Sequence, residues 1–327
     1  MKKFILILIS VIVIVTISLV YSFMNDKKSD KTKITVAEVT HSVFYAPWYV
    51  ALEKGYFEEL GLDVEVILTP GADKVAASVL SGDAQIGFSG PEATVYVYNN
   101  SKEKLLTFAS LTKRDGQFIV GDCSLKNNFR IEDLKGKKVL AGRSGGMPLM
   151  MFKYALKESG ISESSLTIDT SIEFAGLAGA YIGGQGDFVN LFEPNALKIE
   201  QSKTGCVLSS LGGISGVVPY TAYYSKESYI NSNEDIIKNF NKALNKGLSF
   251  VHNNDSKTIA EIIIKQFLDT SLNDLTILVE RYKEADSWYE TTYVNNTDYD
   301  RLLNILLYGK TIDKVFDSKI LITNEFN

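Results

Sequence analysis

Two stretches of this chain follow the same pattern. They are LSGDAQIGFSGPEA (residues 80–93) and IGGQGDFVNLFEPNA (residues 182–196). Each contains a Gly-Asp pair, places a Phe at the same distance after the Asp, and continues into neighbouring Pro and Glu residues. A chain that repeats the same turn, strand and helix start is constrained to fold as two similar halves.

The residues around these stretches extend the repetition to a whole unit. Strands and helices alternate by hydrophobic periodicity, and glycine residues end the helices. In the first half the predicted elements are residues 33–39, 46–61, 62–68, 72–82 and 84–88. In the second half they are residues 137–142, 147–160, 165–170, 173–184 and 187–192. Pro91 and Pro194 each start the helix that closes a unit, because proline suits a first helical turn.

Strands that alternate with helices predict parallel sheets, and two such units predict an α/β fold with two lobes and a cleft between them. The segment 230–309 is largely helical by pattern and is expected to pack against the first lobe. The chain would then cross between the lobes near residues 116–121 and 216–225. We therefore predict lobe 1 from residues 34–115 and 222–327, and lobe 2 from residues 116–221.

The N-terminus carries an apolar run. Residues 4–24 are uncharged, follow Lys2 and Lys3, and precede the polar stretch 25–33, which we predict to be a tether. The length of the run suits a membrane span, and the leading lysines favour an N-terminus held inside the cell. Residues 1–24 are thus an anchor or a signal peptide, and the long apolar core favours an uncleaved anchor. Either way, the remainder is expected to work outside the cytoplasm, tethered on the outer face of the cell membrane.

Charge and cysteine content limit the classes of partner. The net charge is −5, and because the first 25 residues contribute +2, the remainder carries −7. An acidic remainder without a basic patch argues against nucleic acid as a partner. Cys123 and Cys206 lack the spacing of metal ligands, and no histidine lies near them in sequence, so we expect neither a metal nor a cofactor. A disulfide between them and two separate thiols are both compatible with the sequence.

The predicted fold indicates where a ligand would bind. In open parallel sheets ligands lie beyond the carboxyl ends of the strands, where helix N-termini present free N–H groups and partial positive charge. Two facing lobes would present two such rims, formed by residues 40–47, 88–93, 141–148 and 189–196. The candidate ligand-binding residues are Phe44, Tyr45, Ser89, Gly90, Glu92, Arg143, Ser144, Gly145, Gly146, Asn190, Glu193 and Tyr220.

Most of these candidates have a purely structural alternative. Ser89 could be only a helix cap, and the aromatic side chains could belong to the core rather than to a cleft wall. The glycine-containing loop 143–146 suits a polar group at a helix start, but it lacks a nucleotide-binding pattern. Glu193 could serve only to stabilise the N-terminus of the helix that follows it.

The charged candidates favour two different ligand classes. Arg143 and the helix N-termini favour an anionic group such as a sulfonate. Glu92 and Glu193 favour a hydrogen-bond donor such as an amine or an aminopyrimidine. Both together would suit a zwitterion or a polar heterocycle, so the residues leave the ligand open.

These residues also carry a family resemblance. The run APWYVALEKGYFEELGLDVEVILTPG, followed by LSGDAQIGFSGPEA, resembles the substrate-binding proteins of ABC importers in the nitrate, sulfonate, taurine and thiamine-pyrimidine-precursor group. The second half is similar to the same family in DLKGKKVLAG (133–142) and in GDFVNLFEPNA. The resemblance extends over residues 34–310. The chain departs from many relatives in having no cysteine after the apolar run to carry a lipid anchor.

The resemblance implies a type II periplasmic-binding-protein fold that closes like a clamshell on one small molecule. It further implies a monomer that delivers its ligand to an ABC permease with its ATPase and that is not an enzyme. Two alternatives stay open. One is a thiamine-pyrimidine-synthase-like enzyme, for which His41 would be the candidate histidine, although the cysteine-rich run of those enzymes is missing. The other is a ligand sensor whose closed form docks on a receptor.

Overall fold

The computed structural model of the protein describes residues 31–142, 144 and 146–327. These residues form two five-stranded sheets, as the repeated unit predicts. The first sheet contains β1 (Thr32–Glu38), β2 (Leu62–Leu68), β3 (Ile86–Ser89), β4 (Leu105–Thr112) and β10 (Thr221–Lys226), in the order β2-β1-β3-β10-β4. The second contains β5 (Phe118–Gly121), β6 (Lys138–Leu140), β7 (Thr167–Asp169), β8 (Phe188–Leu191) and β9 (Cys206–Ser210), in the order β7-β6-β8-β5-β9.

Helices follow the strands in both halves. The first half has α1 (Ala46–Glu53), α2 (Tyr56–Glu59), α3 (Ala72–Ser81) and α4 (Glu92–Asn100). The second half has α5 (Met147–Glu158), α6 (Phe174–Ile182), α7 (Asn195–Gln201) and α8 (Leu211–Ser215). The C-terminal segment has α9 (Glu227–Ser232), α10 (Glu234–Asn253), α11 (Ser256–Ile263), α12 (Leu272–Glu284) and α13 (Asn296–Tyr308). The predicted helix 46–61 is interrupted at Gly55, whose φ of 68° lies in the left-handed region.

The sheets are mixed rather than parallel, which corrects the expectation from the alternating pattern. Strands within each repeated unit are parallel, as β1 is to β2 and β3, and β6 is to β7 and β8. In the first sheet β10 runs antiparallel to β3 and β4, and in the second β5 runs antiparallel to β8 and β9. The reason is that β5 and β10 follow the crossings between the sheets and enter their sheets from the opposite direction.

The two crossings lie side by side. The backbone N–H of Val218 donates to the carbonyl of Lys113 (3.0 Å), and that of Leu211 donates to the carbonyl of Gln117 (2.9 Å). Residues 113–117 and the segment 211–220, which begins with α8, therefore lie side by side between the sheets. The lobe boundaries at 115/116 and 221/222 stay a prediction.

The C-terminal helices pack against the first sheet and its helices. Helix α10 lies so close to α1 that a Cβ at Gly247 would clash with the carbonyl oxygen of Pro47. Between them and the sheet lies an aromatic core in which Phe88 and Tyr223 stack with ring centroids 4.2 Å apart. Truncating a buried aromatic of this kind to alanine costs about 3–5 kcal/mol. This core fixes β3, whose carboxyl end leads into the first rim.

A disulfide joins Cys123 and Cys206, with an S–S distance of 2.08 Å. It resolves the alternative that the sequence leaves open. Because Cys206 pairs with Gly121 while Ser210 pairs with Phe118, the bond lies at the end of β5 and β9 that is farther from the crossings. Such bonds persist in oxidising compartments outside the cytoplasm.

The apolar run at residues 4–24 lies outside the described residues, so its predicted role as an anchor or signal stays a prediction. None of the helices in the described part of the chain combines the length and apolarity that a bilayer span requires.

Candidate ligand-binding cleft

Phe44 lies where both lobes and both crossings meet. It belongs to the short 3-10 turn Val43–Tyr45, and the Oγ of Ser42 caps this turn by accepting a hydrogen bond from the Phe44 N–H (3.2 Å). Its ring contacts Phe192 of the second lobe, Tyr220 of the return crossing and Tyr282 of α12, with centroids 5.0–6.3 Å apart. Phe44, Tyr45 and Tyr220 are buried members of the hydrophobic core, and their predicted role as a cleft wall stays a prediction.

Gly116 makes this position of Phe44 possible. A Cβ at Gly116 would lie 2.9 Å from three atoms of the Phe44 ring, which is too close for a carbon contact. On the other side, the Nε1 of Trp288 donates to the Phe44 carbonyl (2.7 Å). The first crossing and Trp288, which follows α12, thus fix Phe44 from two directions.

Tyr45 and Tyr220 line the same region. Burial raises the pKa of the Tyr45 hydroxyl, and a hydrogen bond with Thr221 opposes this rise. Burial also raises the pKa of Tyr220, and the neighbouring negative charges of Asp115 and Glu92 raise it further. The ring centroid of Tyr220 lies 5.8 Å from that of Phe44, and among the described residues its hydroxyl has no hydrogen-bond partner.

Glu92 is the first residue of α4 and is only 6 % exposed. Its carboxylate lies directly over Gly90, in space that a Cβ at that position would occupy. Within the described residues the Oε2 of Glu92 has no hydrogen-bond partner. Burial raises the pKa of Glu92 to about 7. The hydroxyl of Ser89, by contrast, is hydrogen-bonded to that of Tyr224 (2.7 Å), and Pro91 rather than Ser89 is the N-cap of α4.

Three polar side chains at the crossing and at the second rim are buried and incompletely paired. Asp115, Gln117 and Asn190 are each at most 1 % exposed. In the described part of the chain, both amide atoms of Gln117 and of Asn190 and the Oδ2 of Asp115 lack a partner. The other oxygen of Asp115 accepts from the Gln117 N–H (2.7 Å). An unpaired buried polar group costs about 1–3 kcal/mol, so such groups indicate a site that another molecule completes.

The β5–β8 register relates the positions of two of these groups. Ile119 of β5 pairs with Asn190 of β8, and Gln117 directly precedes β5. Asp115 and Gln117 are absent from the residues predicted from the sequence. The available signal was two polar residues flanking Gly116 in a segment expected to be a buried crossing.

The loop at the second rim is described in part. Gly146 precedes α5, whose first turn contains Pro148, so the predicted helix start is present. Ser144 is exposed, and its Oγ donates to the hydroxyl of Thr170 (3.2 Å). Arg143 and Gly145 lie outside the described residues, and their predicted contacts stay predictions.

Glu193 is engaged by the protein itself. Its Oε2 accepts from the Leu197 N–H (2.8 Å), and its Oε1 forms an ion pair with Arg281 of α12. Burial raises the pKa of Glu193, and the charge of Arg281 opposes this rise. Arg281 also pairs with Glu200 of α7. Glu193 therefore connects the second rim to α12 through Oε1, and through Oε2 it stabilises the start of α7, as its structural alternative describes.

His41 lies in a separate group of side chains on the first lobe. Its Nδ1 is 2.9 Å from the Tyr49 hydroxyl, which donates to Glu38 (2.6 Å), and its Nε2 is 2.7 Å from the carbonyl oxygen of Gln266. Its hydrogen bond with Glu38 raises the pKa of the imidazole. No group of three or more His, Cys, Asp or Glu side chains in the described residues is arranged to hold a metal ion.

Comparison with protein families gives one assignment over most of the chain. Residues 43–258 match the family model described as NMT1/THI5 like. YtlA of Bacillus subtilis (strain 168), which carries the provisional description of a binding protein, is 40% identical over 277 residues. The aligned region covers 84% of this chain and 83% of YtlA.

Solved structures share the fold. The periplasmic aliphatic sulphonate binding protein SsuA from Escherichia coli superposes with a TM-score of 0.71 at 14% identity, covering 89% of this chain and 97% of that chain. The periplasmic nitrate-binding protein NrtA from Synechocystis PCC 6803 superposes with a TM-score of 0.68 at 14% identity, covering 89% of this chain and 85% of that chain. The predicted type II periplasmic-binding-protein fold is confirmed.

Proposed function

This chain belongs to the NMT1/THI5-like family, and from that premise we propose that it is the substrate-binding component of an ABC import system. It captures a small polar organic nutrient outside the cytoplasm and delivers it to a permease driven by an ATPase. One observation carries this proposal. Asp115, Gln117, Asn190 and Tyr220 are buried where the lobes meet, and in the described residues each has a polar atom without a partner.

Capture would proceed by closure of one lobe on the other. We take residues 34–115 and 222–327 as one lobe, residues 116–221 as the other, and the paired crossings as the hinge. A ligand stabilises the closed state only by binding it more tightly than the open state. A molecule that contacts Glu92 on the first rim and Asn190 on the second would supply that difference.

The ligand is proposed to be sulfonate-like or pyrimidine-precursor-like. The family name and the sulphonate-binding and nitrate-binding proteins of the same fold support this range. The aromatic wall around Phe44 suits a flat or apolar ligand body, and the unpaired amides of Gln117 and Asn190 suit a polar end. The protein acts by binding and release, without catalysis.

We propose that the protein works as a monomer on the outer face of the cell membrane, tethered by residues 1–24. The disulfide between Cys123 and Cys206 supports a location outside the cytoplasm. The acidic charge of the exported part supports a small-molecule ligand rather than a nucleic acid.

A thermal-unfolding screen of residues 31–327 tests the proposal, with sulfonates, pyrimidine precursors and amino-acid-like compounds as ligands. A compound present at 100 times its dissociation constant is expected to stabilise the protein by about 2.7 kcal/mol. Small-angle scattering of the stabilised complex should then show a more compact particle than the free protein. An unchanged scattering profile with a tightly bound ligand would contradict closure.

A further inference from the structure

A chain of hydrogen-bonding groups lies beside the first rim and is not part of the proposed ligand site. The hydroxyl of Tyr49, in α1, donates to the carboxylate of Glu38 at the end of β1 (2.6 Å). The same hydroxyl lies 2.9 Å from the Nδ1 of His41, and the Nε2 of His41 lies 2.7 Å from the carbonyl oxygen of Gln266. Glu38 and Tyr49 are each 1 % exposed, so solvent has little access to their polar atoms.

These contacts require both nitrogens of His41 to carry a proton. The carbonyl oxygen of Gln266 can only accept, so Nε2 must donate to it. The single proton of the Tyr49 hydroxyl goes to Glu38, so Nδ1 must donate to the Tyr49 oxygen. A neutral imidazole has one N–H, and one of the contacts would then bring two acceptors together. The geometry therefore fits an imidazolium, whose Nδ1 is 3.6 Å from the second oxygen of Glu38.

The charges around His41 favour the same state. A cavity of about 520 Å³ opens beside it, and in the described part of the chain its walls contain Glu38, Glu53 and Glu58 but no lysine or arginine. Glu53 accepts from the side-chain amide of Gln266 (2.5 Å). The hydrogen bond with Glu38 raises the pKa of His41, burial opposes this rise, and the carbonyl of Gln266 adds to it. The side chain of His41 is 37 % exposed, so its proton can exchange with solvent.

The Tyr49 hydroxyl also connects this network to Phe44. It accepts from the backbone N–H of Ser42 (3.3 Å), and the Oγ of Ser42 accepts from the N–H of Phe44 (3.2 Å). The Phe44 carbonyl in turn accepts from the Nε1 of Trp288 (2.7 Å). His41 and Ser42 thus bind one hydroxyl as neighbours in the chain. A change at that hydroxyl is transmitted through Ser42 to Phe44 and reaches the indole of Trp288.

We propose that Glu38, Tyr49 and His41 form a proton switch that sets the position of Phe44 in the first rim. With His41 protonated, every contact of the network joins a donor to an acceptor, and Phe44 is held in place. When the proton is lost, two acceptors face each other and the rim turn moves away from α1. The inference rests on the proposed function, because the first rim belongs to the proposed cleft, and it adds regulation of that cleft by pH.

The direction of the pH effect follows from the network. A raised pKa keeps His41 protonated below its ordinary value of 6.5, and the proton is lost as the pH rises through the higher value in the folded protein. Ligand affinity should therefore be highest in acid and should fall as the pH rises through that value. Loss of one hydrogen bond of this kind corresponds to a decrease of about 2- to 10-fold in affinity.

Nitrogen NMR of the full-length protein in detergent tests the switch without a ligand. The chain has two histidines and two tryptophans, so their labelled side chains give few signals. We expect both nitrogens of His41 to be protonated at pH 5, with a titration midpoint above 6.5. The indole signal of Trp288 should shift with the same midpoint. A neutral His41 at pH 5, or a Trp288 signal that does not follow its titration, would overturn the inference.

Two histidine variants provide matched controls. The Nε2 of His252 lies 3.0 Å from the carbonyl oxygen of Tyr289, the residue after Trp288, so His252 is close enough to affect the same signal. The shift of Trp288 should disappear with His41→Gln and persist with His252→Gln, and the reverse result would refute the switch. Tyr49→Phe, which removes the shared hydroxyl, should lower the midpoint of His41 and abolish the shift. The titration of the unmodified chain decides the question even if a variant fails to fold.

Calorimetric titration at pH 5.5 and pH 8.0 tests the effect on the cleft, with methanesulfonate, benzenesulfonate and uracil as probes because their own charge is nearly constant over this range. A probe that binds should bind more tightly at pH 5.5. Glu92 also titrates in this range, with a pKa of about 7, so His41→Gln must remove the difference. Equal affinity at both pH values, or a difference that His41→Gln leaves unchanged, overturns the switch while the proposed function stands. If the wider ligand screen finds no binding at either pH, the proposed function fails, and the NMR titration alone decides on the switch.

Discussion

Single atoms decide how closely the lobes and crossings approach at the cleft. Gly116 admits the Phe44 ring, and Gly90 admits the carboxylate of Glu92. In both cases the side chain that occupies this space belongs to the proposed ligand site. Each glycine therefore affects ligand binding indirectly, because it sets the position of the neighbouring side chain.

Gly116→Ala is expected to displace Phe44, because the new Cβ would lie 2.9 Å from its ring. Overpacking of this kind costs about 1–3 kcal/mol, and ligand affinity should fall with it. Urea denaturation measures the loss of stability, and calorimetric titration measures the loss of ligand affinity. Gly179→Ala is the matched control, because a Cβ there meets nothing within 4 Å and α6 should gain stability. Equal effects from both substitutions would contradict the assigned role of Gly116.

Glu92 should make stability depend on pH. Burial raises its pKa from 4.5 to about 7, so between these values the folded protein holds a proton that the unfolded chain releases. Stability therefore falls as the pH rises through this window, by about 3 kcal/mol in total. Five tyrosines whose pKa the charge of Glu92 raises stay neutral throughout this pH window. They are Tyr45, Tyr96, Tyr220, Tyr224 and Tyr299.

Glu92→Gln removes this ionisation, so its stability relative to the original protein should increase from pH 5 to pH 8. Denaturant melts at several pH values measure the difference, with Glu103→Gln as the control for a lost charge at an exposed site. Parallel stability curves for Glu92→Gln and the original protein would show that this carboxyl group does not titrate as stated.

At the scale of elements, α12 and α13 of the C-terminal segment both reach the second lobe, where Arg301 of α13 lies 3.7 Å from Glu158 of α5. Arg281 joins α12 to Glu193 and Glu200, and the side chain of Gln201 donates to Asp274 (2.7 Å) about two turns earlier on the same helix. Tyr282, next along, contacts Phe44 and Phe118. Helix α12 thus contacts both the first and the second rim.

Arg281→Met should loosen this contact. It leaves Glu193, whose side chain is fully buried, without its charge partner, and breaking such a pair costs about 3–5 kcal/mol. We expect a lower unfolding midpoint, a larger radius of gyration without ligand, and weaker ligand binding. Lys246→Met removes an exposed ion pair with Glu59 and should cost less than about 1 kcal/mol. A compact ligand-free Arg281→Met protein would contradict the role of α12 in closure.

Local sequence predicted the elements of the repeated units well and the contacts between distant segments poorly. Strand β2 begins and ends where it was predicted, because its residues 62–68 are bounded by Gly61 and a glycine-containing loop. Strands β4 and β9 were not predicted, since they lie outside the repeated unit. The ion pair of Glu193 with Arg281 was not predicted, because the two residues lie 88 positions apart and no local pattern connects them.

At the scale of the whole molecule, the repeated segment places one rim on each lobe. Its shared Phe residues differ in their surroundings: Phe88 stacks on Tyr223 in the core of the first lobe, whereas Phe192 contacts Phe44 across the cleft. Asn190 lies in the second copy, and Ser89 and Gly90 lie in the first. The crossings supply Asp115, Gln117 and Tyr220, so the candidate site combines residues from both copies and from the hinge.

A crystal structure of the protein with a ligand found in the thermal screen tests this account most directly. We predict the ligand between the lobes, within hydrogen-bonding distance of Asp115, Gln117 and Asn190, and in contact with the Phe44 ring. A ligand bound elsewhere, such as in the cavity beside His41 and Tyr49, with these polar groups still unpaired, would contradict it.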